Sequence, residues 1–263
     1  MIGGLGDGQA HRIQRVAYEA GIPFLNIGDS SPAIRSSCSE LSFHIEPSAT
    51  AYLQALIKTH LHYGTNNIAR FFAVVENGKE GQDLLAGVEA LAMDISGTEL
   101  AGSATVFPGQ PDYSTVFAAA KAKDVDFILL LIGPRDQIPF LAQQQNYLPD
   151  VPVAPYPHAV TQTRDFLAAA RFQTGSTERR VAAWDPSLQG TDEEPDLNQR
   201  FASRWGVPMD PSAWIAYTAV SVLHQAATSQ GFSSQPLHRG ATLADALRAE
   251  KIFEIGKEAW VAF

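Results

Sequence analysis

Small polar and charged residues gather where apolar runs end, and those are the positions at which a folded chain can hold a small molecule. After the run Ile22 to Ile27 comes Gly28-Asp29-Ser30-Ser31-Pro32. Its amides, hydroxyls and carboxylate can grip a polar ligand group, and the same residues suit a turn with Asp29 or Ser30 as a local cap. Gly3-Gly4-Leu5-Gly6-Asp7-Gly8, followed by Gln9 at the start of a helical pattern, puts backbone amides where they can meet an anionic or polar group. It does not fit a dinucleotide fingerprint, because only a stub of strand precedes it and no acidic residue follows a second strand at the required distance. Arg135, in Gly133-Pro134-Arg135-Asp136, follows the most apolar run; its guanidinium can fork onto a carboxylate or pair with Asp136 beside it.

The remaining chemistry-bearing residues point to hydrogen bonding rather than to catalysis. His158, in Pro155-Tyr156-Pro157-His158, lies just past another apolar run, and spacing ties no nucleophile or paired carboxylate to it. His60 and His62 are two apart, which sends them to different faces of a helix instead of forming an i, i+4 metal pair, and both are expected in solvent. No G-x-S-x-G elbow marks Ser30 or Ser31 as a nucleophile. Trp184-Asp185 ends a further run and serves either a ligand's apolar face or core packing. The lone Cys38 excludes an internal disulfide and a thiolate metal cluster. No catalytic residue, cofactor or metal is assigned.

Positioning these residues requires strand ends. Strand patterns fall at Ile22 to Ile27, Leu41 to Ile45, Ala69 to Val75, Gly102 to Phe107, Asp126 to Ile132, Val151 to Ala154 and Arg180 to Trp184. Between and after them run helical patterns at Gln9 to Ala20, Ser48 to Tyr63, Gly81 to Met93, Tyr113 to Lys123, Asp136 to Asn146, Thr161 to Ala170, Leu197 to Trp205, Pro211 to Thr228 and Thr242 to Glu250. Ser48 and Ser212 are the expected caps of their helices. The polar, broken stretch from Ser187 to Asp196 reads as a surface connection. Several strands are apolar throughout, as parallel strands covered on both faces are. Strand–helix alternation predicts doubly wound three-layer sandwiches with the ligand site at the carboxyl ends of the strands.

Composition narrows the function. The 263 residues are 45% hydrophobic and 18% charged, which suits a globular α/β chain and not a disordered or fibrous one. Nineteen basic against twenty-eight acidic residues give a net charge of −9, so nucleic acid and anionic lipid are poor partners. No apolar run approaches the ~20 residues of a membrane helix, and Met1-Ile2-Gly3-Gly4 carries no export-signal pattern.

The order of local patterns resembles the type I periplasmic binding proteins, specifically the branched-chain amino acid receptor group of ABC importers. The likeness rests on several segments in a shared order: Ile2-Gly3-Gly4 with its helix and Ala20-Gly21-Ile22-Pro23-Phe24-Leu25-Asn26; Pro47-Ser48 at the crossing into a second lobe; Val74-Val75-Glu76-Asn77-Gly78; Phe107-Pro108-Gly109-Gln110-Pro111-Asp112-Tyr113-Ser114 leading to Asp124-Val125-Asp126-Phe127; and Ala213 to Val220. Ala183 to Leu188, Leu197 to Phe201 and Pro208-Met209-Asp210 look more like the subgroup found with PQQ-dependent alcohol oxidation systems.

The resemblance implies two α/β lobes joined by a hinge, the first formed by residues 1–47 with 186–250 and incomplete, the second by residues 48–185 with 251–263. It implies a periplasmic, monomeric receptor without enzymatic activity, whose chain is trimmed at both ends relative to the family and whose partners are a small-molecule solute and a membrane permease. Asp7, Gly8, Gln9, Gly28, Asp29 and Ser30 then hold the solute on the first lobe, and Asn77, Arg135, Tyr156 and His158 close over it from the second. The family's serine-rich first loop is here Gly6-Asp7-Gly8-Gln9, its aromatic after the Val74-Val75 strand is Asn77-Gly78, and its acidic group for an ammonium has no match near Tyr156 to Ala159. A buried ammonium needs a carboxylate partner, a role left to Asp29 or Asp7. A cytoplasmic doubly wound enzyme with a nucleotide or cofactor site, and a ligand-sensing regulatory domain of the same fold, are the competing readings.

Overall fold

The computed structural model describes residues 1–5, 8–37, 39–65, 67–174, 180–184, 197–229, 240–249, 252–255 and 258–261. The chain divides into two compact units, Met1–Pro47 with Ala183–Phe263, and Ser48–Ala182.

In unit 1, β1 (Ile2–Gly3), β2 (Phe24–Asn26) and β3 (Ser42–His44) form a parallel sheet in that order, Leu25 standing opposite both Ile2 and Phe43. Successive strand residues point to opposite faces. Phe24 accordingly packs with Ala10 and Ala17 of α1 (Gln9–Glu19) and Ile34 of α2 (Pro32–Ser36), whereas Leu25 and Phe43 join the cluster of Trp214, Ile215, Ala219 and Val222. Those four lie on α9 (Pro211–Ser229), which follows α8 (Leu197–Trp205). A helix layer thus covers each face of the sheet, as two such different side-chain sets require. The unit also holds α10 (Gly240–Ala249) and the antiparallel pair β8 (Ile252–Ile255) and β9 (Glu258–Val261). β8 contacts α9 and falls with unit 1, whereas the sequence reading placed residues 251–263 in the second lobe.

Unit 2 is built on a parallel sheet in the order β5-β4-β6-β7, from β4 (Ala69–Glu76), β5 (Thr98–Val106), β6 (Phe127–Leu131) and β7 (Val153–Pro155). Every residue of β6 is buried, and β4 is buried apart from Arg70 and its last residue, so these two strands hold the centre. One face carries Phe72, Val74, Ile128 and Leu130 against Val116, Phe117, Phe140 and Leu141 of α5 (Ser114–Ala122) and α6 (Pro134–Tyr147). The other face, where Phe71 and Phe127 stack at 5.1 Å, meets α3 (Ala49–His60) and α4 (Lys79–Asp94). The helix α7 (Arg164–Thr174) closes the unit against α6. Since the helix after β4 and the helix after β6 lie on opposite faces, a crevice opens between those two strand ends, the place where doubly wound sheets bind ligands.

Four local expectations change. Arg180 to Trp184 is not a strand: no strand among the described residues pairs with it, and Trp184 instead stacks on Trp214 at 6.0 Å within the core. α9 is capped by Asp210, not Ser212; the Asp210 Oδ1 accepts from Ala213 N at 2.8 Å and Pro211 takes the first turn, where its missing N–H costs nothing. His60 is buried at 2% exposure, its Nδ1 2.7 Å from the Leu56 carbonyl and its ring over Phe127; only His62 is solvated. β5 begins four residues before Gly102, because an edge strand that alternates exposed and half-buried residues shows little apolar signal. Ser48 caps α3 as expected, accepting from Ala51 N at 3.2 Å. The connection from Ser187 to Asp196 and Cys38 lie outside the described residues.

Candidate functional site

The strand tips of unit 1 are organised by a residue inside the sheet. Asn26, the last residue of β2, is fully buried. Its Oδ1 accepts from Gly28 N at 3.2 Å and Asp29 N at 3.0 Å, while its Nδ2 donates to Asp29 O at 2.6 Å and lies 3.1 Å from His44 Nδ1. The next link is Asp29, whose Oδ1 accepts from Ser31 N at 2.9 Å. Its Oδ2 accepts no hydrogen bond among the described residues, and the side chain is half-buried. The first loop closes on this turn: a Cβ on Gly28 would sit 2.7 Å from the Gly4 carbonyl oxygen, and one on Gly4, at φ +106°, would sit 2.9 Å from Asn26 Oδ1. Glycine at both positions lets the loops after β1 and β2 touch. Burial, with the Arg35 guanidinium adding to it and Asp29 opposing, pushes the His44 imidazole down to about 4.

In unit 2 the crevice between β4 and β6 is bridged by Glu76, whose Oε2 accepts from Gly133 N at 2.9 Å. The neighbouring loop is fastened in the same way, Asp136 Oδ2 accepting from Gly109 N at 2.8 Å and Gln143 Oε1 from Tyr113 N at 3.0 Å. Burial first, then the Asp136 and Glu76 charges, push the Tyr113 phenol up to about 12. At the tip of β7, Tyr156 is 1% exposed and meets Tyr52 and His158 edge-on at 6.0 and 5.0 Å. His158 Nε2 is 2.9 Å from the Ile132 carbonyl, and Gln137 Nε2 donates to Tyr156 O at 2.8 Å. Since a carbonyl only accepts, Nε2 of His158 carries a proton.

The sequence matches the family described as periplasmic binding protein over residues 1–258. The chain belongs to that family. Its members lie outside the cytoplasm and are solute-binding proteins, not enzymes, which sets the enzyme reading aside. Solved structures share the fold. A solute binding protein of an ABC transporter from R. palustris, in complex with benzoate, superposes with a TM-score of 0.71 at 15% identity, covering 98% of this chain and 68% of that one. LivJ from Streptococcus pneumoniae, in complex with isoleucine, gives 0.75 at 14%, covering 96% and 68%. LivK, a leucine binding protein from Thermotoga maritima, gives 0.71 at 12%, covering 93% and 67%. No curated protein matches the sequence. No helix of the described residues is long and apolar enough to cross a membrane.

Within this periplasmic-binding-protein fold, the residues singled out from sequence separate by environment. Gly8, in the left-handed region at φ 63°, caps α1 and is exposed beside exposed Gln9; Asp7 lies outside the described residues. Gly28, Asp29 and Ser30 form one half-buried turn. Asn77 is exposed at the end of β4, its backbone N donating to Val106 O at 2.7 Å. Arg135 is exposed and makes no ion pair with Asp136, which is buried and committed to Gly109. Tyr156 and His158 sit together at the tip of β7. Sequence reasoning missed Asn26, His44 and Glu76; the available signal is a polar residue breaking or ending an apolar run, as Asn26 does in Ile22 to Ile27.

Proposed function

We propose that the chain is the solute-binding component of an ABC importer, a periplasmic monomer that traps a small polar solute between units 1 and 2 by hinge closure and presents the closed form to a membrane permease. The observation that carries this reading is half-buried Asp29, held at a strand tip by the Asn26 network, with an Oδ2 that accepts no hydrogen bond from the described residues. A carboxylate fixed in this way is matched to a donor on the solute, an ammonium or a hydroxyl. Asp7, Gly8, Gln9, Gly28 and Ser30 add polar contacts from unit 1, and Asn77, Arg135, Tyr156 and His158 supply those of unit 2. Arg135, exposed and in no ion pair with the described residues, suits a solute carboxylate. An amino-acid-like molecule or another small organic acid fits this pairing, in keeping with the isoleucine and benzoate of the two relatives. The −9 charge supports a small solute over nucleic acid.

Closure follows from contacts made only in the closed state, because a solute that binds open and closed forms equally shifts nothing. Mass spectrometry of small molecules released from the purified protein identifies the solute, and small-angle scattering with and without it reads the hinge. An unchanged radius of gyration at saturation refutes the trap. Replacement Asp29→Asn is expected to weaken an ammonium-bearing solute by about tenfold or more while leaving the fold intact.

A further inference from the structure

The side chain of Asn26 has its hydrogen-bonding capacity filled: two lone pairs on Oδ1 and two protons on Nδ2 meet Gly28 N, Asp29 N, Asp29 O and His44 Nδ1. This pattern fixes the amide's orientation. Turned over, the amide would place its oxygen against the Asp29 carbonyl and its protons against two N–H groups, leaving a fully buried group without partners. Nδ2 is therefore the donor toward His44, and Nδ1 of His44 must accept, which only a ring with Nδ1 unprotonated can do. The charged groups acting on the ring, besides its burial, are Arg35 of α2, which opposes a positive charge, and Asp29 of the turn after β2, which favours one; Glu46, two residues beyond His44, is buried with its carbonyl accepting from Arg35.

We propose that Asn26 and His44 are a positioning pair that sets the Gly28 to Ser31 turn, with His44 as the obligatory neutral acceptor, so that protonating His44 unlocks the turn. Addition of a proton to Nδ1 turns the acceptor into a donor facing the Asn26 N–H. Asn26 then loses the partner that aligns it, and the Gly28 and Asp29 amides that depend on its Oδ1 are freed. The consequence for solute release rests on the function proposed above; the lock itself does not.

The test is amide hydrogen exchange and nuclear magnetic resonance on the full chain. At neutral pH the His44 ring nitrogens are expected to report the tautomer protonated on Nε2. As pH falls through about 4, the Gly28 and Asp29 amides are expected to exchange roughly tenfold faster once intrinsic rates are corrected, while amides of β4 and β6 stay protected. Replacement His44→Gln, which can still offer a neutral acceptor, should retain the protection at neutral pH, and His44→Lys, a forced cation, should abolish it. Should the lysine variant fail to fold, the wild-type titration decides the matter alone. A ring protonated on Nδ1 at neutral pH, or turn amides whose exchange does not follow the His44 titration, overturns the pair. Calorimetry with isoleucine and with benzoate runs beside this: loss of binding to His44→Lys but not to His44→Gln supports the link to the solute. If neither binds the wild type while the turn titrates as described, the assignment of these solutes fails and the pair stands.

Discussion

The strand tips of the two units solve the same problem by opposite means. In unit 1 a side chain buried within the sheet, Asn26, reaches outward and fixes the turn that follows its own strand, so Asp29 is held from below by a neighbour three positions away. In unit 2 carboxylates hold loops that follow other strands: Glu76 on β4 takes the amide after β6, and Asp136 on α6 takes the amide of Gly109 after β5. Local fixing leaves the Asp29 carboxylate half-buried and partly satisfied. Long-range fixing consumes the acidic groups and leaves the cation Arg135 exposed beside them. Under the function proposed here, Asp29 is assigned to a donor of the solute and Arg135 to its carboxylate.

The comparison can be broken most severely at Gly81. A Cβ there would lie 1.9 Å from the Glu76 carbonyl oxygen, with backbone on both sides of the clash. Gly81→Ala is expected to cost about 3 kcal/mol or more and to expose unit 2 amides to exchange before those of unit 1, as chemical denaturation combined with exchange would read. Asn26→Ala strikes the other unit. It strands two half-buried amides and the His44 nitrogen, at about 1–3 kcal/mol, with the loss of protection centred on Gly28 and Asp29.

A pH series separates the two units without mutation. The folded pKa of His44 lies at about 4, below the ordinary 6.5. Between these values the unfolded chain binds the proton that the folded chain refuses, so stability rises with pH across this window. The contribution is complete above about 6.5 and is lost progressively as pH falls towards 4; denaturant midpoints measured across that range should fall with acid, and should fall less in His44→Gln. The smallest effect is expected for Arg135→Ala. An exposed side chain without a partner among the described residues is expected to change stability by no more than about 0.5 kcal/mol, whereas benzoate affinity should drop about tenfold if the guanidinium receives the carboxylate. Equal affinity in the variant would remove Arg135 from the solute's contacts.

Much of this was open to reading in the chain itself. The apolar runs Phe127 to Leu131 and Phe71 to Val75 could belong only to strands covered on both faces, and their alternation with helical segments fixed a parallel α/β architecture. Leu197 to Trp205 is a helix with the expected bounds because its pattern stands between polar breaks. The turn from Gly28 to Ser31 was visible as a turn because small polar residues follow an apolar strand. Arg180 to Trp184 misled, since an apolar run specifies burial, and a strand additionally needs a neighbour to bond with; Trp184 found Trp214 instead.

What the linear order could not carry is which side chains meet. Whether Asn26 is a stray polar residue or the centre of a network depends on His44, eighteen residues on and on the adjacent strand. The destination of Glu76, similarly, depends on Gly133 arriving at the next strand's end. Composition and periodicity act within a few residues of one another, so the sequence by itself determined the elements, their burial and the end of the sheet where polar groups collect. The parallel register, Asn26 opposite His44 and Val75 opposite Leu131, is a long-range property. It alone decided which carboxylates are spent on the protein's own amides and which polar groups stay half-exposed at the strand tips.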